Sequence, residues 1–231
     1  MTITPTATGL AARLASAQAD LLADLARHPF VLALADGTLA DPPLIAWAQQ
    51  CRLFCLQERR ALMVLRSYQP AADLDGVLAQ LVDDTEREPR QLAETLAELG
   101  SPVAEDLWPA CLGYSSYMVM SAHQGLLPGL TAVYACERSY LDTWTAVLPK
   151  VPADARWRDW VDNWTSDGFR ALVGTLGGCL DDLAGEVSPQ MQTRLEQVFR
   201  DVALWELAFW EMNWRQQGWP TSGPAAADGQ T

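Results

Sequence analysis

Residues 204–214 read "LWELAFWEMNW". The apolar positions around them, Leu195, Phe199, Val202, Glu206, Phe209 and Asn213, follow at steps of 4, 3, 4, 3 and 4. That rhythm keeps every member on one face of an α-helix. Glu206 therefore stands inside the apolar stripe, next to Trp205 and close to Trp210 and Trp214. Burying an unpaired glutamate costs several kcal/mol, so the position needs a reason. One is structural: a buried arginine or hydroxyl holds the carboxylate. The other is chemical: the carboxyl has a raised pKa and serves as a proton donor and acceptor.

The same helical spacing recurs along the chain, and apolar/polar alternation is nearly absent. Residues 10 to 27 place Leu10, Leu14, Ala17, Leu21 and Leu25 on one face, with Pro29 ending that helix and Asp36-Gly37 marking a turn. Further helices are expected over about 42 to 67, 71 to 99 with a kink at Pro89, 103 to 123, 128 to 148, 154 to 184 and 188 to 216. Gly100-Ser101-Pro102, Pro149 with Pro152, and Gly185 with Pro189 separate them. No internal repeat or linker divides the chain. The expectation is one all-α domain of about seven or eight helices over residues 9–217, with a frayed stretch at 1–8 and a flexible tail at 218–231.

Two other stripes carry sulfur. Val133, Cys136, Tyr140, Trp144 and Val147 step by 3, 4, 4 and 3, which sets Cys136 on an inner face one turn from Tyr140. Leu44, Trp47, Cys51, Phe54 and Glu58 continue to Leu62 and Leu65, with Arg59 and Arg60 beside Glu58. A buried cysteine acts most often as a small hydrophobe. "CLGYSSYMVM" supplies Tyr114 and Tyr117, and "DWVDNWTSDGF" supplies Trp160, Trp164 and Phe169. Aromatics at this spacing fill a core or line a pocket for a flat ring.

Composition narrows the function classes. The 231 residues carry a formal net charge of -13, which disfavours binding to nucleic acid or an anionic membrane surface. Charged residues are only 19% against 49% hydrophobic, so the surface is sparsely charged or partly covered by partner subunits. The opening "MTITPTATGL" has neither the basic start nor the apolar core of a secretory leader. No apolar run reaches the roughly 18 residues of a membrane span. Five cysteines without disulfide or zinc spacing point to a reducing cytoplasm. Two histidines, His28 and His123, are too few for most histidine-rich metal sites, and neither has suitably spaced acids for a di-iron centre.

Three segments in order resemble the TenA (thiaminase II) family of haem-oxygenase-like proteins. "HPFVLALADGTL" is similar to the family's opening signature. "YACERSY" is similar to its Pro-Cys-(x)3-Tyr segment, with Ala135 in place of proline. "WELAFWEMNW" is similar to its aromatic ending, and the likeness covers about residues 10 to 219. The resemblance implies a haem-oxygenase-like helical bundle without a cofactor, hydrolysing thiamin or an aminopyrimidine in thiamin salvage. It implies a pyrimidine ligand and a cytoplasmic homotetramer or homodimer. By position, Cys136 matches the nucleophile that adds to the ring, and Glu206 the acid/base that protonates a ring nitrogen. Tyr140 and Tyr114 match pocket tyrosines, and Trp164 and Phe209 match aromatic walls around the ring. Cys51 stands where the family holds the substrate amine with aspartate, and Phe54 where tyrosine is usual. Trp164 replaces a tyrosine and Leu92 a histidine. A thiol cannot accept from an amino group as a carboxylate does. A non-catalytic binding protein for a small aromatic ligand is therefore the alternative.

Overall fold

The computed structural model describes residues 9–153, 155, 157–185 and 187–220. They form α1 (Leu10–Ala17), α2 (Ala19–Arg27), α3 (Pro29–Ala35), α4 (Asp41–Ser67) and α5 (Ala72–Glu98), then α6 (Pro109–His123) and α7 (Leu126–Val147). After a 3-10 turn at Leu148–Lys150 come α8 (Arg158–Trp164), α9 (Asp167–Ala184) and α10 (Pro189–Arg215), with no strand among the described residues. The all-α expectation holds. The excess over seven or eight helices comes from breaks that periodicity does not reveal.

Residues 10 to 27 split at Gln18, because the two halves follow different neighbours. α1 lies on α9 and α10, while α2 lies on α7, α10 and α3. Asp181 on α9 fixes the start of α1 by accepting the Ala11 N–H at 2.7 Å. The expected helix over 154 to 184 also breaks. Thr165 and Ser166 donate their hydroxyls to the carbonyls of Val161 and Asn163, and Ser166 Oγ accepts the Phe169 N–H at 3.1 Å. α8 is thereby closed and α9 capped within two residues.

The helix expected from 103 instead begins at Pro109. Side chains of α4 hold the preceding coil. Gln49 donates to the Pro102 carbonyl, Arg52 to that of Ala104, and Gln50 to that of Asp106. Gln50 Oε1 also accepts the Trp108 N–H at 2.8 Å. With its polar groups satisfied from outside, the coil does not need helical bonds. α5 runs through Pro89, which removes only the bond to the Thr85 carbonyl.

α4, α6, α7 and α10 form the centre, and α5 and α9 flank it. A Cβ at Gly129 would stand 2.6 Å from Ala122 Cα, so only glycine lets α7 start this close to α6. At the C-terminus, Trp219 donates its indole N–H to the Leu107 carbonyl at 2.8 Å. The stretch 1–8, expected to be frayed, lies outside the described residues, as does the expected flexible tail at 218–231 except for 218–220.

Candidate active site

A cavity of about 250 Å³ opens between α4, α5, α7 and the α8–α9 junction. Five of the eight candidate site residues line it: Cys51, Phe54, Cys136, Tyr140 and Trp164. The Thr165–Ser166 break lets Trp164 close α8 and Phe169 open α9 on the same side. Trp164 stacks on Trp144 at 5.4 Å and meets the edge of Tyr140 at 5.1 Å, which fixes its ring.

Tyr114, Glu206 and Phe209 lie behind this wall rather than in it. Phe54 packs on Tyr114 at 4.6 Å and on Phe209 at 6.2 Å, so Phe54 separates Phe209 from the cavity. Glu206 is 1% exposed, and neither carboxyl oxygen has a hydrogen-bond partner. A Cβ at Gly113 would overlap the Trp205 ring, and this close approach of α6 to α10 sets Tyr114 beside Glu206. The Tyr114 hydroxyl interacts with both Glu206 and Cys136. It makes no hydrogen bond of standard length to either.

Burial dominates the electrostatics. It pushes the Glu206 carboxyl up to about 8, with the Glu58 charge adding and Tyr114 opposing. Among the described residues no arginine pairs with it, and of the two structural partners expected only a hydroxyl, that of Tyr114, stands beside it. Glu206 is thus a neutral acid near pH 7. Burial also lifts the Cys136 thiol well above its ordinary value, reinforced by the charges of Glu58, Glu137 and Glu206. A thiol so placed is a nucleophile only with a base beside it.

The same lining is also acidic. Glu58 on α4, Asp84 and Glu88 on α5 and Glu137 on α7 all line the cavity. Burial raises Glu58 to about 8, with Glu88 and Asp84 adding. Glu88 rises to about 7, mainly by burial and the Asp84 charge. Glu137 is raised well above the usual carboxylate range by burial and then by Glu58. One ligand atom each from Glu58, Cys136 and Glu137 lie within 4.8 Å of one another, a set that a cation could share. The histidine count gave no hint of that set.

The sequence reading saw Glu58 in its stripe but set it beside Arg59 and Arg60. Arg59 instead pairs with Glu86. Glu137, Asp84 and Glu88 were missed. A signal existed for Glu88, which falls between Thr85 and Leu92 at steps of 3 and 4 in the buried stripe of α5. Leu92, in the position of the family histidine, is fully buried core.

The model of the TENA/THI-4/PQQC family matches residues 16–216. The chain belongs to this family. Among TENA/THI-4/PQQC relatives, an aminopyrimidine aminohydrolase of Halalkalibacterium halodurans is 27% identical over 195 residues, covering 78% of this chain and 87% of that protein. A thiamine biosynthesis multifunctional protein of Corynebacterium efficiens is 25% identical over 166 residues, which cover 69% of this chain but only 22% of that longer protein. A TenA homologue from Pyrococcus furiosus superposes with a TM-score of 0.82 at 21% identity, over 88% of this chain and 99% of that one. Another from P. horikoshii OT3 gives 0.78 at 25% identity, over 90% and 99%.

Proposed function

We propose that the chain is a TenA-type hydrolase of an aminopyrimidine or thiamin, acting in thiamin salvage. The observation that carries this reading is Glu206, a fully buried carboxyl held protonated to about pH 8 and linked to Cys136 through Tyr114. The Cys136 sulfur adds to a ring carbon as Glu206 delivers a proton to a ring nitrogen, and the thiol proton returns to Glu206 through the Tyr114 hydroxyl beside both. The leaving group departs with a proton, water takes its place, and expulsion of Cys136 restores the ring and the acid. Trp164, Tyr140 and Phe54 hold the ring flat, with Phe209 and Tyr114 backing Phe54. The family relationship and the relative named an aminopyrimidine aminohydrolase support this reading.

The test is release of ammonia from an aminomethylpyrimidine, or of thiazole from thiamin. Wild type is expected to turn over at least one of them, while Cys136→Ala is silent and Glu206→Gln severely impaired. Equal silence of all three proteins would sink the enzyme reading. Cys51 in place of the family aspartate favours a second reading, a protein that binds a small aromatic ligand without turning it over. Ligand-induced stabilisation without product, unchanged in Cys51→Asp, would support it.

We place the protein in the cytoplasm as a homotetramer or homodimer. All five cysteines are free, as a reducing compartment keeps them. Among the described residues, no helix is long and apolar enough to cross a membrane. Leu56 and Met63 on α4 and Leu112 and Met120 on α6 are exposed, as an assembly face would be before it is covered. Light scattering of the purified chain tests the assembly.

A further inference from the structure

Cys51 cannot hold an amino group as aspartate does, yet the cavity it lines is more acidic than its aromatic wall requires. Glu58 is 7% exposed, and its Oε1 is sealed from water without a hydrogen-bond partner. A buried polar atom left in that state at a cavity wall has a partner still to come. Glu137 lies beside it across Cys136. From α5, Glu88 and Asp84 face the same space. The lining has one cation, Arg87, and it is held by Asp84 at 2.8 Å.

We propose that this cavity takes an aromatic ligand bearing a protonated amino group, which Glu58, Glu137 and Glu88 bind while Phe54, Tyr140 and Trp164 hold the ring. The idea rests on reading the cavity as the ring site but does not require turnover. An ammonium group offers three donors to these carboxylates, and the aromatic faces add cation–π attraction. The carboxylates crowd one another, and a bound cation relieves that repulsion and drives them to ionise. Glu58 and Glu88, pushed up to about 8 and about 7, release protons when the cation arrives at pH 7. The other groups facing Glu58 are Cys51 and Cys55 on α4, Asp84 and Arg87 on α5, Cys136 and Glu137 on α7, and Glu206 on α10. Of these, Arg87 and the Cys55 thiol favour the ionised form of Glu88, and the neighbouring acids oppose ionisation.

Calorimetry on the wild-type chain at pH 7, in buffers of different ionisation enthalpy, tests this with two pairs of probes. Benzylamine against benzyl alcohol isolates charge on a ring that cannot be hydrolysed. A 5-aminomethyl against a 5-hydroxymethyl aminopyrimidine repeats the comparison on the proposed ring. The amine is expected to bind about tenfold more tightly in each pair, with net proton release. Glu58→Gln and Glu137→Gln should each erase most of that preference. Glutamine matches the neutral form these side chains already take, and a melting curve confirms that each variant folds. Equal binding of amine and alcohol, no binding of either amine, or a preference that survives both variants would overturn the proposal. So would stoichiometric binding of Zn²⁺ alone that excludes benzylamine, since the cluster would then belong to a metal. An amine preference without hydrolysis would sink only the hydrolase, and hydrolysis without the preference only this proposal.

Discussion

Two buried glutamates divide this bundle into a sealed floor and an open wall. Glu206 on α10 and Glu58 on α4 are both pushed up to about 8, and each has an oxygen without a partner. For Glu206 burial does the work and a tyrosine pulls the other way. For Glu58 burial is reinforced by two like charges on the facing helix. The same raised pKa therefore has two meanings. Behind the wall it makes a proton donor shielded from solvent. In the wall it marks a group waiting for positive charge.

The largest expected effect separates them by kinetics. Glu206→Gln should lower kcat by about 100- to 10,000-fold, as loss of a general acid does. Glu58→Gln should act mainly on KM, by about tenfold. If Glu58→Gln lowers kcat as much as Glu206→Gln does, floor and wall share the chemistry and the division fails. The pH profile sharpens it further. With Glu206 as donor, kcat/KM of the wild type should fall as pH rises through about 8.

Stability gives the next contrast. In the folded chain Glu206 stays protonated up to about 8, whereas in the unfolded chain it ionises near 4.5. Between those values the fold holds the extra proton, so stability falls as pH rises across the window. Glu206→Gln removes that slope. Its melting temperature should match wild type near pH 4.5 and exceed it above pH 8, by the equivalent of a few kcal/mol at most. Loss of melting temperature at pH 9 would mean that the ionised carboxylate is stabilised after all.

Ser166→Ala should have the smallest effect, costing about 1 kcal/mol through the lost cap of α9. Because that cap sets Phe169 and follows Trp164, ring-ligand affinity should weaken with it. Unchanged affinity would show that the aromatic wall does not depend on the break.

How far the sequence led differs between these regions. The floor was legible, because the 4, 3, 4, 3 rhythm of α10 put Glu206 in an apolar stripe before any neighbour was known. Cys136 and Cys51 were read from similar stripes on α7 and α4. The acidic wall was mostly invisible because it assembles across helices. Glu58, Glu88 and Glu137 lie on α4, α5 and α7, and nothing in one helix's period says that its acid meets another's. The helix breaks at Gln18 and Thr165 escaped for a related reason. Apolar periodicity runs through both, and tertiary neighbours and a short run of hydroxyl residues decide where the axis turns. "TSDG" at 165–168 was a capping signal in plain view.

The tryptophans beside the cavity have an optical consequence. Trp164 stacks on Trp144 with 21° between their planes, while Trp160 and Trp47 lie within 5.6 and 6.0 Å of it. Indole transitions this close mix, so the cluster is expected to absorb as a coupled unit and to show strong near-ultraviolet circular dichroism. Trp164 belongs to both the cluster and the cavity lining. A ligand resting on it would therefore change the spectrum of the whole group, giving the protein an internal gauge of occupancy that needs no label.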